Sequence, residues 1–103
     1  MVFPVVTDLG SFTAIGATPS VISDGNCVAF QAVITGLTGA NKVNLEFQDS
    51  LDNINWYADE TSKKADLTNG VVIHKHVADA AAYVRVNITA INGGTVAVKI
   101  SKA

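Results

Sequence analysis

A chain of 103 residues with a formal net charge of −2 and one cysteine, Cys27, is a single domain's worth of protein. No intramolecular disulfide can form, and Lys63-Lys64 is the only adjacent basic pair, so no phosphate-binding footprint for nucleic acid is present. Residues 1–8 lack the positive start and long apolar run of a signal peptide, and no apolar stretch reaches the roughly 18 residues of a membrane span. These features predict a protein made in the cytoplasm without a signal peptide, with no nucleic-acid or membrane partner.

Composition points to strands. Val and Ile number 22 against 6 for Leu and Met, and β-branched side chains fit a pleated, half-buried surface better than a helix. Charged residues make up 16% against 49% hydrophobic ones. An ordinary soluble domain carries about 25% charge, so part of the apolar surface is expected to lie against other chains, the alternative being a sandwich whose outer faces use Thr, Asn, Ser and Ala.

In chain order, the first 26 residues are the least regular. Val2, Phe3, Val5, Val6, Leu9, Phe12 and Ile15 make the start too apolar for a solvated tail, yet Pro4 and Gly10 argue against a central strand. Residues 1–26 therefore read as an edge strand or an arm, and Val2, Phe3, Val5 and Val6 are the candidate partner-binding residues. A short strand is expected within residues 17–22. Val28, Phe30, Ala32 and Ile34 then alternate with Ala29, Gln31, Val33 and Thr35, and Val43, Leu45 and Phe47 alternate with polar residues, the second giving a strand with one buried face. Residues 71–77 form a further run, with Ile73 expected to point inward and His74 and His76 on the solvent face. Residues 78–82 are the only helix-friendly stretch, too short to stand alone. Val84, Val86 and Ile88 alternate again, and Asn92-Gly93-Gly94 leads into Val96, Val98 and Ile100. That last pair predicts an antiparallel hairpin. The whole is expected to be all-β: one antiparallel β-sandwich or jelly-roll-like domain of six to eight short strands.

Chemistry is sparse. Cys27 could act as a nucleophile only beside a His and a carboxylate, and no cysteine motif surrounds it; a small buried hydrophobe is the expectation. His74 and His76, two apart on a strand, project from one face and are weak candidates for a metal pair, but no Cys cluster or third His completes a set. Asp49, Asp52, Asn53, Asn55, Asp59 and Glu60 crowd one region and could offer oxygen ligands to calcium. Their spacing does not match an EF-hand, and Asp/Asn clusters mark turns for backbone reasons. No phosphate loop, nucleophile elbow or acid/base pair is present. The expectation is no cofactor, no metal and no enzymatic activity.

The stretch from Leu45 to Tyr57 resembles a recurrent β-sandwich pattern in which a strand runs into Ser-x-Asp-Gly-x-x-Trp. Ser50, Asp52 and Trp56 fit it, with Asn53 replacing the Gly; Asn tolerates the left-handed conformation such a turn needs. Tyr83-Val84-Arg85 resembles the strand that partners it. Discoidin-type carbohydrate- or lipid-binding domains share this pairing, as do small β-sandwich proteins of tailed-phage virions, which this chain matches in size and low charge. The resemblance implies a virion protein, in first place an auxiliary or decoration protein binding the major capsid protein or other virion subunits, with homo-oligomers allowed. The alternatives are a tail or baseplate-associated protein and a carbohydrate-binding module. In this pattern Trp56 is expected to pack over the core and close one end of the sandwich.

Overall fold

The computed structural model describes residues 5–23, 27–76 and 81–102, apart from the side chains of Val5 and His76. The helix-friendly stretch 78–82 falls mostly outside these residues, as do Val2 and Phe3. The described chain forms nine strands: β1 (Val5–Phe12), β2 (Gly16–Ala17), β3 (Val21–Ile22), β4 (Val28–Thr35), β5 (Val43–Ser50), β6 (Lys63–Leu67), β7 (Gly70–His76), β8 (Tyr83–Ala90) and β9 (Thr95–Lys102). A 3₁₀ turn, Glu60–Ser62, precedes β6, with Asp59 capping it by accepting from the Ser62 amide at 2.9 Å.

Two antiparallel sheets result, ordered β1-β9-β4-β7 and β2-β8-β5-β6, with β3 also on β8. The core lies between them. Phe30, Ala32 and Ile34 of β4 and Val96, Val98 and Ile100 of β9 face Val43, Leu45 and Phe47 of β5 and Val84, Val86 and Ile88 of β8, all at most 2% exposed. Each of these side chains except Ala32 contributes about 1.5–3 kcal/mol relative to leaving it in water. Phe30 and Phe47 meet across the sheets with ring centroids 5.0 Å apart.

The strand faces expected for β4, β5, β8 and β9 are the observed ones, but the expected hairpin is not. β8 and β9 do not pair: the Asn92-Gly93-Gly94 turn carries the chain from one sheet to the other. Alternation shows which side of a strand is buried and is silent on its neighbour. The β4–β5 and β6–β7 connections also switch sheets at this end, and Asn69 ties two of them together, accepting from the Leu37 amide at 2.9 Å and donating to its carbonyl at 3.1 Å. The turn is close-packed, because a Cβ on Gly94 would stand 2.8 Å from Leu37 Cδ2 and 3.0 Å from the Thr35 carbonyl oxygen.

A second correction concerns β7. Its register sets His74 opposite Phe30 and Ile73 opposite Gln31, and residues paired across strands share a face. Val72 and His74 therefore point inward, while Val71 and Ile73 point outward, 62% and 56% exposed.

The first segment supplies β1, on the edge of its sheet and paired only with β9 among the described strands, with a register shift between Asp8 and Gly10. The expected strand within 17–22 is realised as the two fragments β2 and β3. Thr18 joins them to β8, its amide donating to Val86 O at 2.8 Å and its hydroxyl accepting from the Val86 amide at 3.0 Å.

Candidate functional site

The end of the sandwich where β5 stops and β1 starts carries the most distinctive surface. Residues 50–57 leave β5 and return, so that Asp49 and Tyr57 exchange backbone hydrogen bonds at 3.0 Å. Ser50 and Asp52 hold this loop from within. The Ser50 hydroxyl donates to Asp52 Oδ1 at 3.0 Å and accepts from the Asn53 amide at 3.0 Å. Asp52 Oδ1 also accepts from the amides of Ile54 and Asn55 at 2.9 and 2.8 Å, and Oδ2 from the Asn55 side chain at 2.7 Å. Asn53 adopts φ 62°, the left-handed conformation that the Gly of the pattern would supply. The Asp/Asn cluster is thus a turn that satisfies its own carboxylate.

These bonds, first the Asn55 and Ile54 amides and then the Asn55 and Ser50 side chains, hold the Asp52 carboxyl well below the usual carboxylate range. Its folded pKa lies below its unfolded one, so the stabilisation is present in full above about pH 4 and lost as pH falls toward the folded value. Asp52→Asn should therefore be less stable than the wild type near neutral pH, and the gap should close in acid. Urea unfolding at a series of pH values checks this; a gap independent of pH would contradict it.

The loop displays apolar side chains instead of burying them. Leu51, Ile54 and Tyr57 are 81%, 78% and 67% exposed. Between the loop and Ala81 lies an open cleft of about 590 Å³, lined by Asp49, Ser50, Leu51, Asp52, Asn55 and Tyr57.

Trp56 is not a core residue. Pairing of Tyr57 with Asp49 turns Trp56 to the outer face of the second sheet, where the Arg85 guanidinium stands 4.1 Å over its ring. Arg85 Nε donates to Gln48 Oε1 at 2.8 Å, and Gln48 donates to Glu46 at 2.9 Å. Gln48, although on an outer face, is only 7% exposed. Trp56→Ala should cost about 1–2 kcal/mol, the loss of a cation–π contact and partial burial, well below the 3–5 kcal/mol or so of a core aromatic. Thermal unfolding measures the difference.

His74 turns to the inner face of its sheet and is half-buried, not on the solvent face. Its ring stacks on Phe47 at 5.3 Å with a 4° interplanar angle, and Nε2 lies 3.2 Å from the Ser62 hydroxyl. That hydroxyl donates to Asp59 Oδ1 at 2.8 Å. An Asp, a Ser and a His thus meet around a Ser62 side chain that is 0% exposed. The sequence reading missed this trio; Asp59 three residues before Ser62 was its visible capping signal. Among the described residues no group of three or more His, Cys, Asp or Glu could hold a metal ion; the His76 side chain lies outside them. Cys27, expected to be buried, is exposed. Of the candidate partner-binding residues, Val5 opens β1 opposite Lys102, and Val6 follows opposite Ser101, 61% exposed.

A scan against protein-family models and a search of curated proteins find no match. Among solved structures, the SPBc2 prophage-derived protein YomS is similar over 100% of this chain and 97% of that one, with a TM-score of 0.66 and 12% sequence identity. At that identity the likeness speaks for a shared fold. It places this sandwich, end to end, beside a prophage-derived protein.

Proposed function

We propose that this protein is a structural component of a tailed-phage particle, an auxiliary or decoration protein that binds the assembled capsid. The observation that carries this reading is the grouping of exposed Leu51, Ile54 and Tyr57, on a loop fixed by its own hydrogen bonds, at the end of the sandwich where the chain enters β1. A pre-ordered apolar loop loses little conformational entropy on docking. A ligand that binds only the assembled shell stabilises it by mass action. The fold shared with a prophage-derived protein supports the same setting.

Removing residues 2–4 leaves all of β1 in place, and the thermal midpoint of the shortened domain serves as the folding control. If Val2 and Phe3 dock on the capsid, co-sedimentation with purified capsids should fall. Binding should also fall for Ile54→Asp. Undiminished binding by both variants would refute this docking end.

The cleft beside Tyr57 favours one second reading, a saccharide site, since an exposed aromatic ring flanked by polar groups suits a sugar face. Loss of glycan-array binding in Tyr57→Ala, with no capsid binding by the wild type, would favour that reading instead.

A further inference from the structure

The two open sheets leave four edges, and three of them carry a device that discourages pairing. β1 is interrupted by the register shift at Asp8/Gly10, with Gly10 at φ 101°. β2 and β3 are two residues each, separated by Pro19. β6 bears Lys63, Lys64 and Asp66, and its ladder on β5 is shifted between Val43 and Leu45, with Asp66 at φ 55°. Charges, bulges and short strands are the ordinary means by which a sheet edge is kept from recruiting another chain.

β7 has none of these over most of its length. It keeps one unbroken register on β4 from Gly70 opposite Ile34 to His76 opposite Val28. No proline occurs in it, its only lysine is Lys75 near the end, and its outward row begins with exposed Val71 and Ile73. No strand covers its other side among the described residues.

We propose that β7 is the strand through which two copies of this protein pair, antiparallel, about a two-fold axis at Val72. The sequence fits itself in that register. Val71 lies opposite Ile73 of the second copy, twice by symmetry, so four β-branched side chains form one apolar cluster on the outer face. Val72 lies opposite Val72 on the inner face. Lys75 lies opposite Asn69, whereas an axis at Lys75 would oppose two like charges. Pairing joins two four-stranded sheets into one continuous sheet. The proposal does not depend on the capsid reading, because it is read from the isolated protein.

Sedimentation over a range from low micromolar to near-millimolar protein tests it. The wild type should show a monomer–dimer equilibrium, and Ile73→Lys should weaken association by roughly tenfold or more, with an unchanged thermal midpoint at dilutions where the wild type is monomeric, since the side chain is exposed. In a Cys27→Ser background, Val72→Cys should form an intersubunit disulfide under mild oxidation, its Cα atoms being at the spacing of directly opposed antiparallel residues. Ile73→Cys, one diagonal away, should cross-link more slowly. A wild type that stays monomeric throughout, a dimer indifferent to Ile73→Lys, or faster cross-linking through position 73 would overturn the proposal.

Discussion

Replacing Phe47 by alanine is expected to destabilise the domain by about 3–5 kcal/mol. The ring is 0% exposed, lies 5.0 Å from Phe30 of the opposite sheet, and forms the platform on which His74 stacks. Its removal opens a cavity between the sheets and strips an apolar contact from a partly buried imidazole. A domain of this size has only about 5–15 kcal/mol in hand, and each kcal/mol is worth roughly 4–8 °C in midpoint. The thermal midpoint followed by circular dichroism should therefore fall by more than about 12 °C, while Phe47→Leu, which refills much of the volume, should cost under about 1.5 kcal/mol. A loss below about 1 kcal/mol for Phe47→Ala would mean that the sheets do not meet there.

Gly94→Ala is expected to be nearly as damaging, at about 2–4 kcal/mol, although it adds a single methyl group. The residue sits at φ 77°, and the new Cβ would stand 2.8 Å from Leu37 Cδ2 and 3.0 Å from a backbone carbonyl that cannot move aside. Backbone strain and overpacking each cost about 1–3 kcal/mol. Gly39, at φ 61° with nothing near its missing Cβ, provides the control: alanine there should cost about 1 kcal/mol. Equal midpoints for the two variants would show that the corner between β8 and β9 is not close-packed.

That corner marks the limit of what alternation conveys. Period-two patterning identified the buried faces of β4, β5, β8 and β9, since a polar side chain on those faces would be stranded between sheets. It could not say that Asn92-Gly93-Gly94 crosses between sheets, because a hairpin and a crossover both need a tight turn after an alternating strand. β7 misled for a different reason. Val71, Val72 and Ile73 are all apolar, so either face could be the inner one, and only the register against β4 places His74 opposite Phe30. An inward-facing, half-buried histidine is tolerable here because Phe47 offers a ring face and Ser62 a polar partner, both distant in sequence. The outward turn of Val71 and Ile73 then leaves apolar surface that the fold does not itself bury.

The candidate site was legible as a local motif but not in its placement. Ser50, Asp52 and Asn53 form the turn that their residue types suggest. Trp56 was expected to cover the core because it is the largest apolar side chain, yet the Asp49–Tyr57 bridge sends it to the outer face beside Arg85. Leu51, Ile54 and Tyr57 drew no attention as a group, since exposure is a property of the folded loop.

The most direct test of the proposed role is composition of the particle. Phage particles produced by cells carrying this gene, banded in a density gradient and quantified by mass spectrometry, should contain the protein in a fixed ratio to the major capsid protein. Cryo-electron microscopy of the same particles should place it as density on the shell. Its absence from banded particles, with the protein recovered only in the soluble fraction, would contradict a structural role in the virion.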